Sequence, residues 1–295
     1  MVIGVVVATF FLLRLVPGDP AEAILGDRAT DDAVAALRVQ LGLDKPLAQQ
    51  FFEFAAQVFL HFDTGNSLIY GTSTRDLVMA RIGVSLTIVA LAVLFSIVIA
   101  VPLALLAATH KDGIADHLVR IIPAVGLAMP IFWLGLILII IFSVNLRWLP
   151  VGGTNSGFAS FVLPALAVSI AIVPPIVRSL RAQLLEVLDA DFVATARAAR
   201  LPRWRILVFH VLRNAALPTL TLFGLNVAYL VGGTLVVERV FAINGLGALM
   251  FEAIGNRDFP VVQGIALTCA IIVVIVTLAT DFAVHRLDPR TRRAS

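Results

Sequence analysis

The sequence predicts an all-α membrane protein with six transmembrane helices. Of its 295 residues, 60% are hydrophobic and only 14% are charged, and the mean hydropathy is +0.99. Soluble domains are nearer half apolar and a quarter charged. Five apolar segments are each long enough to cross a bilayer, and a shorter sixth one opens the chain. Helices are favoured because lipid offers the backbone no hydrogen-bond partners.

The first predicted span covers residues 1–16, which are apolar except for Arg14. Sixteen helical residues reach only about 24 Å, less than the roughly 30 Å hydrocarbon core. We therefore expect that the sequence starts inside this span or that the true N-terminus is longer. Arg14 lies near one helix end, where we expect its long side chain to reach the interface. A substrate contact is the alternative for Arg14.

Residues 17–82 differ in composition and predict a small helical extracytoplasmic domain. Two prolines and a glycine in VPGDPA end the first helix. Residues 31–41 predict an amphipathic helix capped by Gly42, and residues 46–60 predict a second helix. A polar turn region follows at residues 61–74. The domain holds nine acidic and five basic residues.

The remaining spans form a core over residues 83–284, and residues 285–295 form a tail. We place these spans near residues 83–108, 119–142, 158–177, 219–237 and 261–284. Lysines and arginines concentrate on the cytoplasmic side of membrane proteins. With both termini inside, 13 of the 22 basic residues fall in cytoplasmic loops and the tail, which supports this orientation.

A charged stretch at residues 189–218 interrupts the apolar pattern with five arginines and two aspartates. Its first half is rich in alanine, the strongest helix former. Pro202 suits the first position of a second helix, and Pro218 is expected to end that helix. Its apolar residues follow helical spacing and predict an amphipathic stripe, namely Trp204, Leu207, Val208, Val211 and Leu212. The stretch therefore predicts a cytoplasmic helix–turn–helix on which a partner docks. An ordinary positive-inside loop that faces lipid headgroups is the alternative.

Four segments and the tail together resemble the permease subunits of binding-protein-dependent ABC importers. The resemblance is greatest to the first permease of the dipeptide, oligopeptide and nickel group, and it covers nearly the whole chain. The matching segments are LRLVPGDPA at 13–21, LGLDKPLAQQF at 41–51, FVATARAARLPRWRILVFHVLRNAALP at 192–218, ERVFAINGLGALMFEAIGNRDFPVVQG at 238–264, and LDPR at 287–290.

The resemblance implies the type I ABC importer permease fold and a coupling role for residues 189–218. In the family this helix–turn–helix sits in a groove of the ATPase subunit. The residues expected to couple here are Ala194, Thr195, Ala196, Arg197, Ala198, Ala199, Arg200, Leu201, Arg203 and Arg205. The family usually has glycine where this chain has Arg200. Either Pro202 makes a different turn, or Arg200 accepts the strain of a left-handed backbone.

The resemblance also implies partners and the absence of chemistry in this chain. We expect a homologous second permease, two ABC ATPase subunits, an extracytoplasmic peptide-binding protein and the bacterial inner membrane as surroundings. ATP and magnesium would be bound by the ATPase subunits alone. The cargo is expected to be di- or oligopeptides, with glutathione and nickel chelates open.

In loop 238–264, GLG with Phe241 and Phe251 predicts a short re-entrant or interfacial helix with a glycine turn. The resemblance implies that this loop and the large first loop meet the binding protein and help to form the outer gate. A surface loop with interfacial aromatics is the alternative.

Polar residues at membrane depth are candidates to line a path, because such groups usually face a bundle interior. We select as pathway and gate candidates Ser169, Asn226, Tyr229, Glu238, Arg239 and Thr268. The alternative for each is a contact between helices. Asp281 is expected to pair with an arginine.

Catalytic, metal and nucleic-acid functions find little support in the sequence. A phosphate-binding loop motif is absent, and the five histidines lack metal-ligand spacing. Cys269 is the single cysteine, so an intrachain disulfide is impossible. Two other classes stay open: a secondary transporter, which would show internal repeats and mid-membrane ionisable residues, and a membrane-embedded assembly or signalling subunit.

Overall fold

The computed structural model describes residues 2–15, 20–25, 30–40 and 42–287, and these residues are mostly helical. Residues 139–145 and 206–212 are π-helical and are labelled π1 and π2. The α-helices are α1 Val2–Leu15, α2 Pro20–Leu25, α3 Asp31–Gln40, α4 Leu47–His61, α5 Thr74–Thr109, α6 Ile114–Leu127, α7 Ile131–Leu138, α8 Ala159–Leu188, α9 Asp191–Ala198, α10 Arg203–Arg205, α11 Arg213–Val240, α12 Leu246–Gly255 and α13 Phe259–Leu287.

Four helices in the described part are long and apolar enough to cross a membrane: Thr74–Thr109, Ala159–Leu188, Arg203–Val240 and Phe259–Arg286. They contain the predicted spans near 83–108, 219–237 and 261–284, and all but the first residue of the one near 158–177. Each begins before or ends after the apolar run because a helix that packs on protein or meets water needs no high hydropathy. α1 has 14 residues, so six spans remain a prediction.

The third predicted span, 119–142, is not one continuous helix. α6 ends at Leu127, and α7 begins after Pro130 and continues through π1. Pro130 has no N–H and disfavours the α conformation of the residue before it, so the break falls at Ala128 and Met129. The span was predicted as one helix because the apolar composition continues across the break.

The expectation that Pro218 ends a helix is wrong. Helical backbone runs without interruption from Arg203 to Val240, with Pro218 inside α11. Pro218 is the sixth residue of α11, and a proline inside a helix costs one hydrogen bond without necessarily ending the helix. The amphipathic helix and the fifth predicted span are therefore one element.

The chain divides into two compact units. Unit 1 comprises residues 1–85 and 244–274, and unit 2 comprises residues 86–243 and 275–295. In unit 2, α8 packs against α6, α7 and α11. Its buried side chains run along most of its length, from Ser160 to Leu184, which makes α8 the centre of this unit.

In unit 1, α4 packs against α1 through apolar side chains. Val6, Val58 and Leu267 form a buried cluster, and the Phe10 ring contacts the Phe51 ring at 5.2 Å. α3 and α4 lie within one residue of their predicted bounds, and Gly42 has the positive φ of 65° expected for a helix cap. The helices predicted for the region after the first span are confirmed, while its extracytoplasmic location stays a prediction.

Candidate coupling surface and external loop

Residues 191–205 form the predicted helix–turn–helix, and Arg200 adopts the left-handed conformation. Its φ is +57°. The N–H of Leu201 donates to the carbonyl of Ala196 at 3.3 Å, and the N–H of Arg200 donates to that of Arg197 at 2.9 Å. This pair of bonds is the Schellman motif that normally ends on glycine. Of the two alternatives for this turn, the strained one is present, at a cost of about 1 kcal/mol.

The predicted coupling residues lie together on α9, the turn and α10. Ala196 and Leu201 are half-buried, and the others are exposed: Ala194, Thr195, Arg197, Ala198, Ala199, Arg200, Arg203 and Arg205. We call residues 191–209 the coupling surface. Small side chains on α9 permit close approach of a partner, and the arginines can pair with acidic groups.

Three buried side chains anchor the coupling surface to unit 2. Val193 and Val211 are fully buried, and Ile206 is 5% exposed. The predicted stripe is wrong in detail, because Trp204 and Val208 are exposed. In π2 each backbone hydrogen bond joins residues five positions apart, rather than four as in an α-helix. Ile206 and Val211 are five positions apart and therefore share a face, whereas in an α-helix they would lie on different faces.

Sequence reasoning missed exposed aromatic side chains on the coupling surface. Phe192, Trp204 and Phe209 are 45%, 62% and 56% exposed, and the Trp204 and Phe209 rings meet edge to face at 6.0 Å. Exposed aromatics are common anchors at protein interfaces. Phe209 lies outside the predicted apolar stripe, so its position in the sequence already indicated that its ring would be exposed.

The pathway candidates differ in burial: Ser169 and Glu238 are buried, Thr268 and Asn226 are half-buried, and Arg239 and Tyr229 are exposed. The hydroxyls of Ser169 and Thr268 donate to carbonyls of their own helices, at 2.9 Å and 2.7 Å, and Ser169 is fully buried. Glu238 is also fully buried, at the end of α11, whereas its neighbour Arg239 is exposed. Their roles in a path stay predictions.

The other two candidates mark an exposed face of α11. Tyr229 is 64% exposed, and the Asn226 amide donates to the carbonyl of Leu222 at 2.7 Å. The exposed residues of this helix recur at spacings of three and four, which places them on one face: Leu222, Leu225, Tyr229, Gly232 and Val236. The face is apolar except for the Tyr229 hydroxyl and the nearby amide.

The loop before the last span contains the predicted short helix, α12, with Gly245 at its start. The N–H of Leu246 donates to the Ser85 hydroxyl at 2.9 Å. At the other end, Arg257 has a φ of +55°, and the N–H of Asp258 donates to the carbonyl of Ala253 at 2.8 Å. This is the same Schellman geometry as at Arg200.

The turn region after α4 is bound to α12 within unit 1. Ser67 donates its hydroxyl to the Asp258 carboxylate, which is almost fully buried, and the N–H of Leu68 donates to the same group at 3.2 Å. The Tyr70 hydroxyl donates to Glu252, and this bond raises the pKa of Tyr70. We call residues 62–73 together with residues 246–258 the external loop assembly.

Metal-binding groups do not converge in the part of the chain that the structure describes. Three or more histidine, cysteine, aspartate or glutamate side chains placed to hold an ion are not found among those residues. Asp281, which was expected to pair with an arginine, lies exposed on α13.

Comparison with solved structures shows a shared fold. Two inward-facing crystal forms of the MetNI methionine ABC transporter match with TM-scores of 0.61 and 0.60 at 19% and 20% sequence identity. Each match covers 72% of this chain and 96% of the other. The matched part of this chain therefore shares its fold with a chain of that transporter.

The sequence then gives the family. The model described as binding-protein-dependent transport system inner membrane component matches residues 100–293, and the model of its N-terminal part matches residues 1–70. The chain belongs to this family, as the resemblance predicted. It is a multi-pass membrane component and not the ATP-hydrolysing subunit.

Two curated relatives match over nearly the whole chain. A probable peptide ABC transporter permease of Sinorhizobium fredii is 37% identical over 96% of this chain and 92% of its own length. A probable D,D-dipeptide transport system permease of Escherichia coli K12 is 35% identical over 99% of this chain and 94% of its own length.

Proposed function

We propose that this chain is a permease subunit of an ATP-driven importer whose cargo is peptides, with di- and oligopeptides foremost. The names of both relatives support peptides as the cargo class. Glutathione and nickel chelates are the competing solutes. Uptake assays with the cognate binding protein and each labelled solute decide among them, and peptide uptake below that of nickel chelates would contradict the proposal.

The coupling surface is the observation that carries this function. It combines exposed alanines, exposed aromatics and four arginines on one short helix–turn–helix that is anchored at Val193 and Val211. A cytoplasmic ATPase subunit with an apolar groove and an acidic rim fits this surface. Movement of that subunit would reach the membrane helices directly, since α10 is continuous with α11 through π2.

The orientation that we propose is supported by the helix ends that meet within unit 2. The Arg181 side chain near the end of α8 bonds to Asp116 at the start of α6. The N–H of Gly153, before α8, donates to the carbonyl of Phe241, just after α11. The side of unit 2 where Arg181 meets Asp116 is rich in arginine, so we assign this side and both termini to the cytoplasm.

The complete importer would contain a homologous second permease, two ATPase subunits and an external peptide-binding protein. The exposed face of α11 around Tyr229 would border the path formed with the second permease. The external loop assembly would meet the binding protein. ATP binding would draw the coupling surfaces together and open the path outward, provided that ATP favours one of the two states.

Replacement of Ala198 by tryptophan tests the docking role. Ala198 is exposed on α9, so the fold should tolerate the change, while a bulky group would block close approach of the ATPase subunit. Peptide-stimulated ATP hydrolysis by the assembled complex should fall about tenfold, equal to about 1.4 kcal/mol. Ala56→Trp on α4, which is also exposed, is the matched control. Equal activity of both variants would contradict the proposal.

A further inference from the structure

Asp116 carries a buried carboxylate that binds two separate parts of unit 2. Its side chain is fully buried near the start of α6. Arg181 on α8 donates to both of its oxygens, from Nε to Oδ1 and from Nη2 to Oδ2, at 2.5 Å each. This side-on pairing fixes the orientation of the Arg181 guanidinium plane as well as its distance from the carboxylate. A second arginine, Arg120, lies 3.6 Å away.

The same carboxylate holds the turn between α5 and α6. The N–H of Asp112 donates to its Oδ2 at 3.1 Å, and Asp112 has a left-handed φ of +59°. A side chain at Gly113 would lie 3.0 Å from the carbonyl of His110, so this turn is tightly closed. The conformation of the turn therefore depends on a group that also binds α8.

Arg181 lies close to the coupling surface along the chain. α8 continues for seven residues after it to Leu188, about 10 Å of helix. Only Asp189 and Ala190 separate α8 from α9. The Arg197 side chain of α9 donates to the carbonyl of Leu188 at 3.5 Å. A displacement of α9 thus reaches Arg181 through one short helical segment.

A buried ion pair is a weak source of stability, because desolvation of both charges offsets their attraction, so its geometry is the more informative property. We propose that the Asp116–Arg181 pair is a mechanical link that makes the α5–α6 turn move with the end of α8 during the transport cycle. Both are positioning residues, and the proposal rests on the proposed coupling function. Through the link, one coupling surface drives α6 as well as α8 and α11.

The test measures peptides taken up per ATP hydrolysed by the assembled importer in liposomes. Asp116→Asn keeps the shape but removes the charge, and Arg181→Lys keeps the charge but removes the two-bond geometry. Each should lower the ratio about tenfold, while ATP hydrolysis continues. The double variant should be no worse than either single variant, because the link is already broken. Arg178→Gln, an exposed arginine three residues earlier, is the control and should leave the ratio unchanged.

A second measurement reports the link itself. Spin labels at Lys111→Cys and Glu186→Cys, both exposed, with Cys269→Ser as background, give the distance between turn and helix end. With Asp116 intact this distance should keep one narrow distribution with and without ATP, and Asp116→Asn should broaden it.

The outcomes separate this proposal from the proposed function. Uptake and ATP hydrolysis that fall in parallel, or an unchanged ratio in both single variants, overturn the link. A narrow distance distribution in Asp116→Asn also overturns it. Failure of the unmodified chain to assemble with an ATPase subunit would contradict the importer function instead.

Discussion

The coupling surface and the external loop assembly end their short helices with the same turn but are held in place very differently. Arg200 and Arg257 both adopt left-handed backbone in Schellman motifs. After Arg257 comes Asp258, which is 1% exposed and receives bonds from a distant turn. After Arg200 come half-buried Leu201 and exposed Pro202. The same turn is therefore hydrogen-bonded to a distant segment in unit 1 and lies on an open surface in unit 2.

The largest effect is expected from loss of the cross-brace at Asp258. Asp258→Ala leaves the Ser67 hydroxyl and the Leu68 N–H without their acceptor in a buried site. Hydrogen bonds to charged groups contribute about 1.5–3 kcal/mol each, so we expect the free energy of unfolding to fall by about 3 kcal/mol. Thermal unfolding in detergent measures this. Asp44→Ala, an exposed aspartate, is the control, and equal stability of the two variants would refute the brace.

A smaller effect is expected at Gly264, where α13 passes α5 closely. A Cβ at this position would lie 2.3 Å from Thr74 Cγ2 and 2.9 Å from Thr64 Oγ1. Gly264→Ala should therefore lower the free energy of unfolding by about 2 kcal/mol through overpacking. Gly255→Ala on α12, which has open space around it, should be neutral or stabilising. The idea fails if Gly264→Ala is as stable as Gly255→Ala.

The smallest effect is expected at the coupling turn. Arg200→Gly removes the left-handed strain and should raise the free energy of unfolding by at most about 1 kcal/mol. Ala242→Gly, at a third Schellman turn with a φ of +49°, is the matched control because it removes only a methyl group. If both variants gain stability but only Arg200→Gly loses stimulated ATP hydrolysis, the Arg200 side chain contacts the partner. A clear loss of stability in Arg200→Gly would contradict the strain argument.

The sequence predicted those parts of the structure that local patterns determine. Hydropathy located four spans, and alanine content with Pro202 located the helix–turn–helix to within a few residues. The same reasoning failed where hydrogen bonding departs from the α pattern, as in π2, because the periodicity argument assumes 3.6 residues per turn. It also failed at Pro218, since neighbours that support a proline in a helix are invisible in the local sequence.

Contacts between distant residues were beyond local patterns. Asp116 and Arg181 are separated by 65 positions, and Ser67 and Asp258 by 191. Each of these residues, seen alone, reads as an ordinary polar group near a membrane. Burial gives them their importance, and burial follows from tertiary packing rather than from spacing along the chain.

The uninterrupted helix from Arg203 to Val240 can act as a lever. Its 38 residues span about 57 Å, nearly twice the thickness of the hydrocarbon core. A rotation of such a rod by about 5° shifts its far end by about 5 Å, close to one helical turn. The π-helical segment lies at the end that carries the coupling surface. A local change from π-helical to α-helical winding there would change how far the coupling surface moves for a given rotation, without any change in the membrane-spanning part.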